Sequence, residues 1–325
     1  EARDCTKSRA RPQIGAVPSP PMFSYRHAFH AGNHADVLKH TVLIAVLRHL
    51  MLKDPSITLV DTHAGAGLYR LDGDYAEKGG EAVDGVVKLF AAMRPAQGAP
   101  AAAPTPLIDD YLDTVAAFNP SGSLRVYPGS PFVIHSLMRE ASRDRLKLFE
   151  LHPTDGKTLA ANVAQLEAGR SIVIKREDGF EGLKPLLPPP VGAGGSRRAL
   201  VLIDPSYELK SDYGKVSACI QDSLKRFPTG TYLVWYPIIP RTEAHDLPKK
   251  LRTLATQTQR PWLNATLAIG HGPLQPNERP GLTASGMFVI NPPHTLKAAM
   301  AATLPVLLSV LGRGRGQAES VESGG

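Results

Sequence analysis

Apolar residues recur at helical spacing over residues 34–52 (HADVLKHTVLIAVLRHLML), where His40, Ile44, Leu47 and Met51 line one stripe. The pattern predicts a helix, with Asn33 as its N-cap. A β-type run, Ser56–Asp61 (SITLVD), follows and ends in a glycine-rich turn, Thr62–Gly67 (THAGAG). Strand then glycine turn is the usual opening of a doubly wound α/β sheet. Residues 68–128 break this rhythm. Two helical patterns, Glu77–Met93 and Leu107–Phe118, flank an Ala/Pro stretch at 94–106 with the composition of a surface loop, and together they predict a small helical insertion. Strand-like runs resume at Leu146–Leu151, Ser171–Arg176, Ala199–Asp204, Gly230–Trp235, Ala265–Ile269 and Gly286–Ile290, with helical stretches between most of them. Residues 312–325 (GRGRGQAESVESGG) have no core-forming pattern and are expected to be a disordered tail. The expected fold class is therefore α/β, one domain over residues 22–311 with an insertion at about 68–128.

Composition narrows the functional classes. Apolar residues make up 42% of the 325 and charged residues 21%, enough for a sizeable core and incompatible with global disorder. Lys and Arg exceed Asp and Glu by 37 − 30 = +7, which leans toward a polyanionic partner. Two cysteines, Cys5 and Cys219, make neither a disulfide framework nor a cysteine zinc site. Residues 1–21 lack the apolar segment of a secretory signal and read as a disordered extension, with Met22 a natural start. Thr41–Leu47 and Ala298–Leu311 are too short to span a bilayer. A cytosolic protein without membrane contact is expected.

The candidate chemistry sits at strand ends. Asp61–Gly67 stops short of G-x-G-x-x-G because position 70 is Arg, which favours a nucleoside ligand over a dinucleotide pyrophosphate. Glu150 ends the next strand-like run, where a carboxylate can accept both ribose hydroxyls, and Asp178-Gly179 follows the one after, within reach of an adenine amino group. The sharpest signal is Leu200–Tyr207 (LVLIDPSY), a buried strand with Asp-Pro-x-Tyr at its carboxyl end. This resembles the Asp-Pro-Pro-Tyr motif of S-adenosylmethionine-dependent methyltransferases acting on exocyclic amino nitrogens. An adenine N6 lone pair is delocalised into the ring; the Asp204 carboxylate and the Pro205 carbonyl can accept its N–H bonds and return electron density to nitrogen, with Asp204 taking the proton. The Tyr207 ring can stack on a base taken out of its helix. Ser206 stands where a second proline is usual and is expected to loosen this loop. Four histidines, His27, His30, His34 and His40, offer a rival metal reading, but Gly32-Asn33 interrupts the helix they would share and no carboxylate cluster completes a ligand set.

The segment Ser24–His40 (SYRHAFHAGNHADVLKH) resembles the N-terminus of the ribosomal RNA large subunit methyltransferase J family, which methylates adenine N6 in 23S rRNA. The likeness continues through Asp61–Gly67, Tyr127–Pro131, Glu150–Pro153, Asp178–Phe180, Leu202–Tyr213, Gly230–Pro237 and Leu282–Pro293, covering residues 22–311. The resemblance implies a Rossmann-like methyltransferase fold with a small helical subdomain inserted after the first glycine turn. It implies S-adenosylmethionine contacts at His40, His63, Ser130, Glu150, Asp178, Gly179 and Asp204, with Asp204 the proton acceptor. Tyr25 matches a residue in contact with substrate RNA, Lys39 lies beside the cofactor position, and no metal is implied. Action as a monomer is expected. Two alternatives stay open at this point: amino-group methylation of DNA, and an RNA-binding protein whose turnover is impaired through Ser206. A metal-dependent hydrolase ranks below both.

Overall fold

The computed structural model describes residues 30–72, 81–95, 104–191, 197–273 and 281–325. The extension 1–21, Tyr25 and the centre of the Ala/Pro stretch lie outside the described residues. Helix α1 (His34–Leu50) begins where the Asn33 side chain accepts hydrogen bonds from the backbone N–H groups of Ala35 and Asp36, the N-cap that the sequence predicts. It is buried on nearly every face, as a helix sandwiched between a sheet and other helices must be.

The chain continues through β1 (Thr58–Asp61) and then β2 (Leu68–Arg70), a π-helical turn at Val83–Val87, α2 (Lys88–Met93), α3 (Pro106–Ala117) and β3 (Val126–Pro128). These elements form the insertion. Its two ends are clipped together by the antiparallel β2–β3 pair, a small sheet that the helical expectation lacked. Next come α4 (Ser130–Leu137), β4 (Arg145–Phe149), α5 (Pro153–Ala164), β5 (Ile172–Lys175), the short α6 (Gly179–Leu183) and β6 (Ala199–Ile203). Then α7 (Lys210–Arg226), β7 (Thr231–Pro237), α8 (Thr242–Gln257), β8 (Trp262–His271), β9 (Ala284–Ile290), α9 (Leu296–Leu311) and β10 (Arg315–Gly324) complete it.

Eight strands make one sheet in the order β10-β8-β9-β7-β6-β1-β4-β5. Strands β7, β6, β1, β4 and β5 run parallel, and β9 runs antiparallel between β7 and β8. Successive side chains of β6 point to opposite faces, and every residue of the strand is buried. Leu200 and Leu202 join the core beneath α1, α4 and α9, whereas Val201 and Ile203 join a second core with α7 and α8.

The expectation for residues 312–325 is corrected. They form β10, paired antiparallel with β8 from Arg315–His271 to Gly324–Trp262. An edge strand needs backbone partners on one side only, and here one of its side chains, Val321, packs against the core, so a largely polar sequence suffices.

The topology positions the site. From β1 the chain moves outward to β4 and β5, then returns to β6 on the other side of β1. That reversal opens a crevice beyond the carboxyl ends of β1 and β6, where open α/β sheets bind ligands.

Candidate active site at the strand reversal

The turn after β1 carries two glycines with left-handed backbone, Gly65 (φ 59°) and Gly67 (φ 80°), a region that side chains disfavour. The turn therefore doubles back, and its Gly65 N–H donates to Oε2 of Glu150, beyond β4, at 2.7 Å. The other Glu150 oxygen accepts from His152 N–H at 2.7 Å. Each oxygen keeps a lone pair for a further donor. Burial raises the Glu150 pKa above its ordinary value, opposed by these backbone donors.

Beyond β5, Asp178 caps α6, with Oδ1 accepting from the N–H groups of Phe180 (2.8 Å) and Glu181 (3.4 Å). Gly179 lies so near the β1 turn that a Cβ there would stand 2.0 Å from the Thr62 carbonyl oxygen. Only glycine allows this approach. His63 sits edge-on to Phe180 at 4.9 Å between centroids, and burial lowers its pKa to about 4, so its ring is neutral.

Beneath this rim lies Asp61, fully buried at the end of β1. It accepts from the Ser130 hydroxyl at 2.6 Å and from His63 N–H at 3.2 Å, while burial pushes its pKa up to about 6. His40 is buried, stacked on Tyr127 with Nδ1 2.7 Å from the tyrosine hydroxyl, which meets that of Tyr111 at 3.2 Å.

Asp204 follows β6 and is tied to α1. Lys39 Nζ donates to Asp204 Oδ2 at 2.6 Å and pairs with Asp36 Oδ1 at 2.7 Å. Asp36 in turn accepts from Gly32 N–H through Oδ2 at 2.9 Å. The Lys39 side chain is 5% exposed. Burial alone would lower its pKa, but the two carboxylates outweigh burial and hold it well above the usual lysine value. Among the described residues no hydrogen bond or ion pair falls on Asp204 Oδ1.

The structure thus gathers His63, Glu150, Asp178, Gly179 and Asp204 around one crevice, with Ser130 and His40 buried behind it. Tyr207 is placed differently from the expected stacking platform. Its ring is 3% exposed, packed against Tyr213 and Trp235 at centroid distances of 4.7 and 5.9 Å, and its hydroxyl donates to the Trp235 carbonyl at 2.7 Å. With φ of 54° its backbone is left-handed, and Arg241 Nη1 donates to its carbonyl at 3.1 Å. The chain turns the tyrosine inward, and a base does not stack on it in this arrangement. The loop expected to be loosened by Ser206 is held by these contacts.

Sequence reasoning missed Asp36 and Arg241, and it took Asp61 only as the first residue of the glycine-turn motif. The Asp36–Lys39 spacing of i,i+3 was legible as a helix pair. The bond from Lys39 to Asp204, 165 residues away, was not. Among the described residues no group of three His, Cys, Asp or Glu side chains is placed to hold a metal ion.

A family model described as ribosomal RNA large subunit methyltransferase D, RlmJ, matches residues 54–322. Ribosomal RNA large subunit methyltransferase J from Escherichia coli (strain K12) is 42% identical over 291 residues, 89% of this chain and 94% of the relative. That from Haemophilus influenzae (strain ATCC 51907) is 40% identical over 294 residues, again 89% and 94%. The crystal structure of protein LPL1258 from Legionella pneumophila (strain Philadelphia 1) shares the fold with a TM-score of 0.75 at 29% identity, covering 91% of this chain and 98% of that one.

Proposed function

This chain belongs to the ribosomal RNA large subunit methyltransferase J family, and from that premise we propose that it methylates the N6 amino group of an adenine in 23S rRNA, with Asp204 as proton acceptor. It is an S-adenosylmethionine-dependent rRNA methyltransferase, and the specific base and residue roles are the step taken here. The observation that carries this step is the state of Asp204. It stands at the strand reversal with Oδ2 fixed by a buried lysine, which supports Oδ1 as the acceptor for the incoming amine.

The crevice fits S-adenosylmethionine. The Glu150 oxygens, each holding one backbone amide, retain acceptor capacity for two vicinal ribose hydroxyls. Asp178 spends Oδ1 on its helix cap, which supports Oδ2 as acceptor for the adenine amino group. Gly179 keeps the wall flat, neutral His63 adds no opposing charge, and the acidic rim suits a sulfonium cation. When bound, the cofactor supplies an electrophilic methyl group.

The chain's own residues orient the acceptor. One N6 hydrogen would be accepted by Asp204 Oδ1, returning electron density to nitrogen; the methyl carbon would pass from sulfur, which keeps the electron pair of the broken bond, to nitrogen, and the carboxylate would take the surplus proton. Lys39 keeps Oδ2 in place throughout. Most of the acceleration then comes from positioning. Tyr25 is assigned to RNA contact on the family resemblance, and Tyr207 acts as a wall beneath the Asp204 loop. No helix of the described residues is long and apolar enough to cross a membrane. An rRNA substrate supports a cytosolic location.

The deciding experiment incubates the protein with unmodified 23S rRNA and labelled S-adenosylmethionine, beside an Asp204→Ala control. Label recovered as N6-methyladenosine and lost in the control is the expected result. Cofactor binding without transfer to rRNA, or transfer that survives Asp204→Ala, overturns the assignment.

A further inference from the structure

Three helices could cover the face of the sheet that carries Val60, Val201 and Ile203. Two of them do so fully: α7 with 17 residues and α8 with 16. The third connection, from β5 to β6, offers only the five-residue α6 and a single 3-10 turn. Phe180 and Leu183 cover Phe149 at the carboxyl end of β4, Leu187 joins the same core, and among the described residues no helix covers the rest of the β4–β5 edge.

What lies on that uncovered strip is cationic. Arg145, Lys147 and Phe149 alternate onto one face of β4. The parallel register sets Lys147 beside Val173 and Phe149 beside Lys175, so Lys175 shares the face. Two residues along a strand span about 6.6 Å and neighbouring strands lie about 4.8 Å apart, so the three cations step at roughly 7–8 Å across the sheet. Arg143 and Arg170 stand exposed at the amino ends of the same strands. Against these, among the described residues the one acid paired within the strip is Glu177, 3.0 Å from Lys175. Lys147 has no carboxylate partner among the described residues. Its pKa is lowered, first by burial and then by the charges of Arg145 and Lys175, the state of a cation crowded by like charge.

We infer that this strip is a second contact surface for the sugar–phosphate backbone of the RNA, an inference that rests on the proposed rRNA substrate. A linear polyanion supplies regularly spaced negative charge along one direction, which a row of evenly stepped cations on a flat face matches. A compact anion would occupy one cation and leave the others crowded. The strip is also within reach of the reaction. Lys175 lies three residues before Asp178, and three interstrand steps of about 4.8 Å put the end of β5 roughly 14 Å from that of β6, which Asp204 follows. RNA presenting its adenine at Asp204 can run along the carboxyl edge of the sheet and down this face. Contacts of this kind position the strand without reading its sequence.

The test compares wild type with the Arg145→Gln/Lys147→Gln/Lys175→Gln variant, using a 23S rRNA transcript and S-adenosylmethionine. Cofactor binding, which reports an intact fold, stays unchanged. The dependence of RNA affinity on log salt becomes shallower by about 2 to 3, at roughly 0.7–0.9 per phosphate contact. KM for the transcript rises while kcat holds. Lys147→Gln alone lowers the slope by a third of that amount and serves if the triple variant does not fold. Unchanged slope and KM in a variant that binds cofactor overturn the surface. Wild type that binds RNA with the steeper slope but transfers no methyl group overturns the proposed reaction and leaves the surface standing.

Discussion

Replacing Lys39 by methionine keeps the length of the side chain and removes the charge between Asp36 and Asp204. The side chains involved are 5%, 2% and 13% exposed, so water cannot take over the role of the ammonium. Removing one partner of a buried ion pair costs about 3–5 kcal/mol, because the remaining charge is left uncompensated. Two carboxylates are orphaned here, yet Asp36 keeps the Gly32 N–H and Asp204 keeps slight access to solvent, which sets the expectation near the lower bound, about 3 kcal/mol. With a urea dependence of about 2–3 kcal/mol per molar, the unfolding midpoint falls by roughly 1 M. The pH dependence has a definite sign. Lys39 is held above its ordinary value in the folded chain, so its contribution is complete below the unfolded lysine pKa of about 10.4 and is lost as pH rises toward the folded value. The gap between wild type and Lys39→Met should stay constant from neutral pH to about 10 and narrow above it. Activity should fall more than stability at neutral pH implies, since an Asp204 displaced by about 1 Å costs on the order of 10²-fold in kcat. A variant with the wild-type midpoint and kcat would refute the clamp.

Two other perturbations follow from the same geometry. Arg241→Ala removes the donor that holds the Tyr207 carbonyl, a charge-assisted bond of about 1.5 kcal/mol, and should lower kcat several-fold, and an unchanged urea midpoint and kcat would count against that bond holding the loop; adding Ser206→Pro should recover about 0.4–1 kcal/mol by restricting the unfolded chain. Asp61→Asn removes a carboxyl whose pKa is raised from 3.8 to about 6 by burial; the wild-type contribution is full below pH 4 and is lost as pH rises through 6, so the variant should gain about 3 kcal/mol on wild type between those limits, and parallel midpoint-against-pH profiles would show that the Asp61 charge is already compensated.

The fold was legible where local pattern and tertiary demand coincide. β6 is a run of apolar residues because both faces of a central parallel strand are covered, and the sequence places it within one residue of its observed end. Asn33 was legible as a cap because a cap is a local hydrogen bond. β10 was not, because an edge strand is specified by the partner it pairs with and β8 lies more than 40 residues earlier. The crevice residues could be read at strand ends, since topology brings all carboxyl ends of parallel strands to one side. Side-chain direction could not. Tyr207 looked available for stacking in sequence, and its inward turn depends on Tyr213, Trp235 and Arg241, none of which the Asp-Pro-Ser-Tyr motif contains.

That inward turn also explains how serine is accommodated at position 206. A second proline would stiffen the loop by fixing its own φ and restricting the residue before it. Here stiffness is supplied from outside the motif. Tyr207 holds a left-handed backbone that costs an ordinary residue about 1–2 kcal/mol, and it keeps that conformation only because the surrounding structure determines it. Its hydroxyl is bound to Trp235 on β7, its carbonyl to Arg241 at the start of α8, and its ring to Tyr213 on α7. Three elements therefore fix the residue after Ser206, while Lys39 on a fourth fixes Asp204 two residues before it. With both ends of the four-residue segment held, the exposed Ser206 between them has little freedom left for a proline ring to remove.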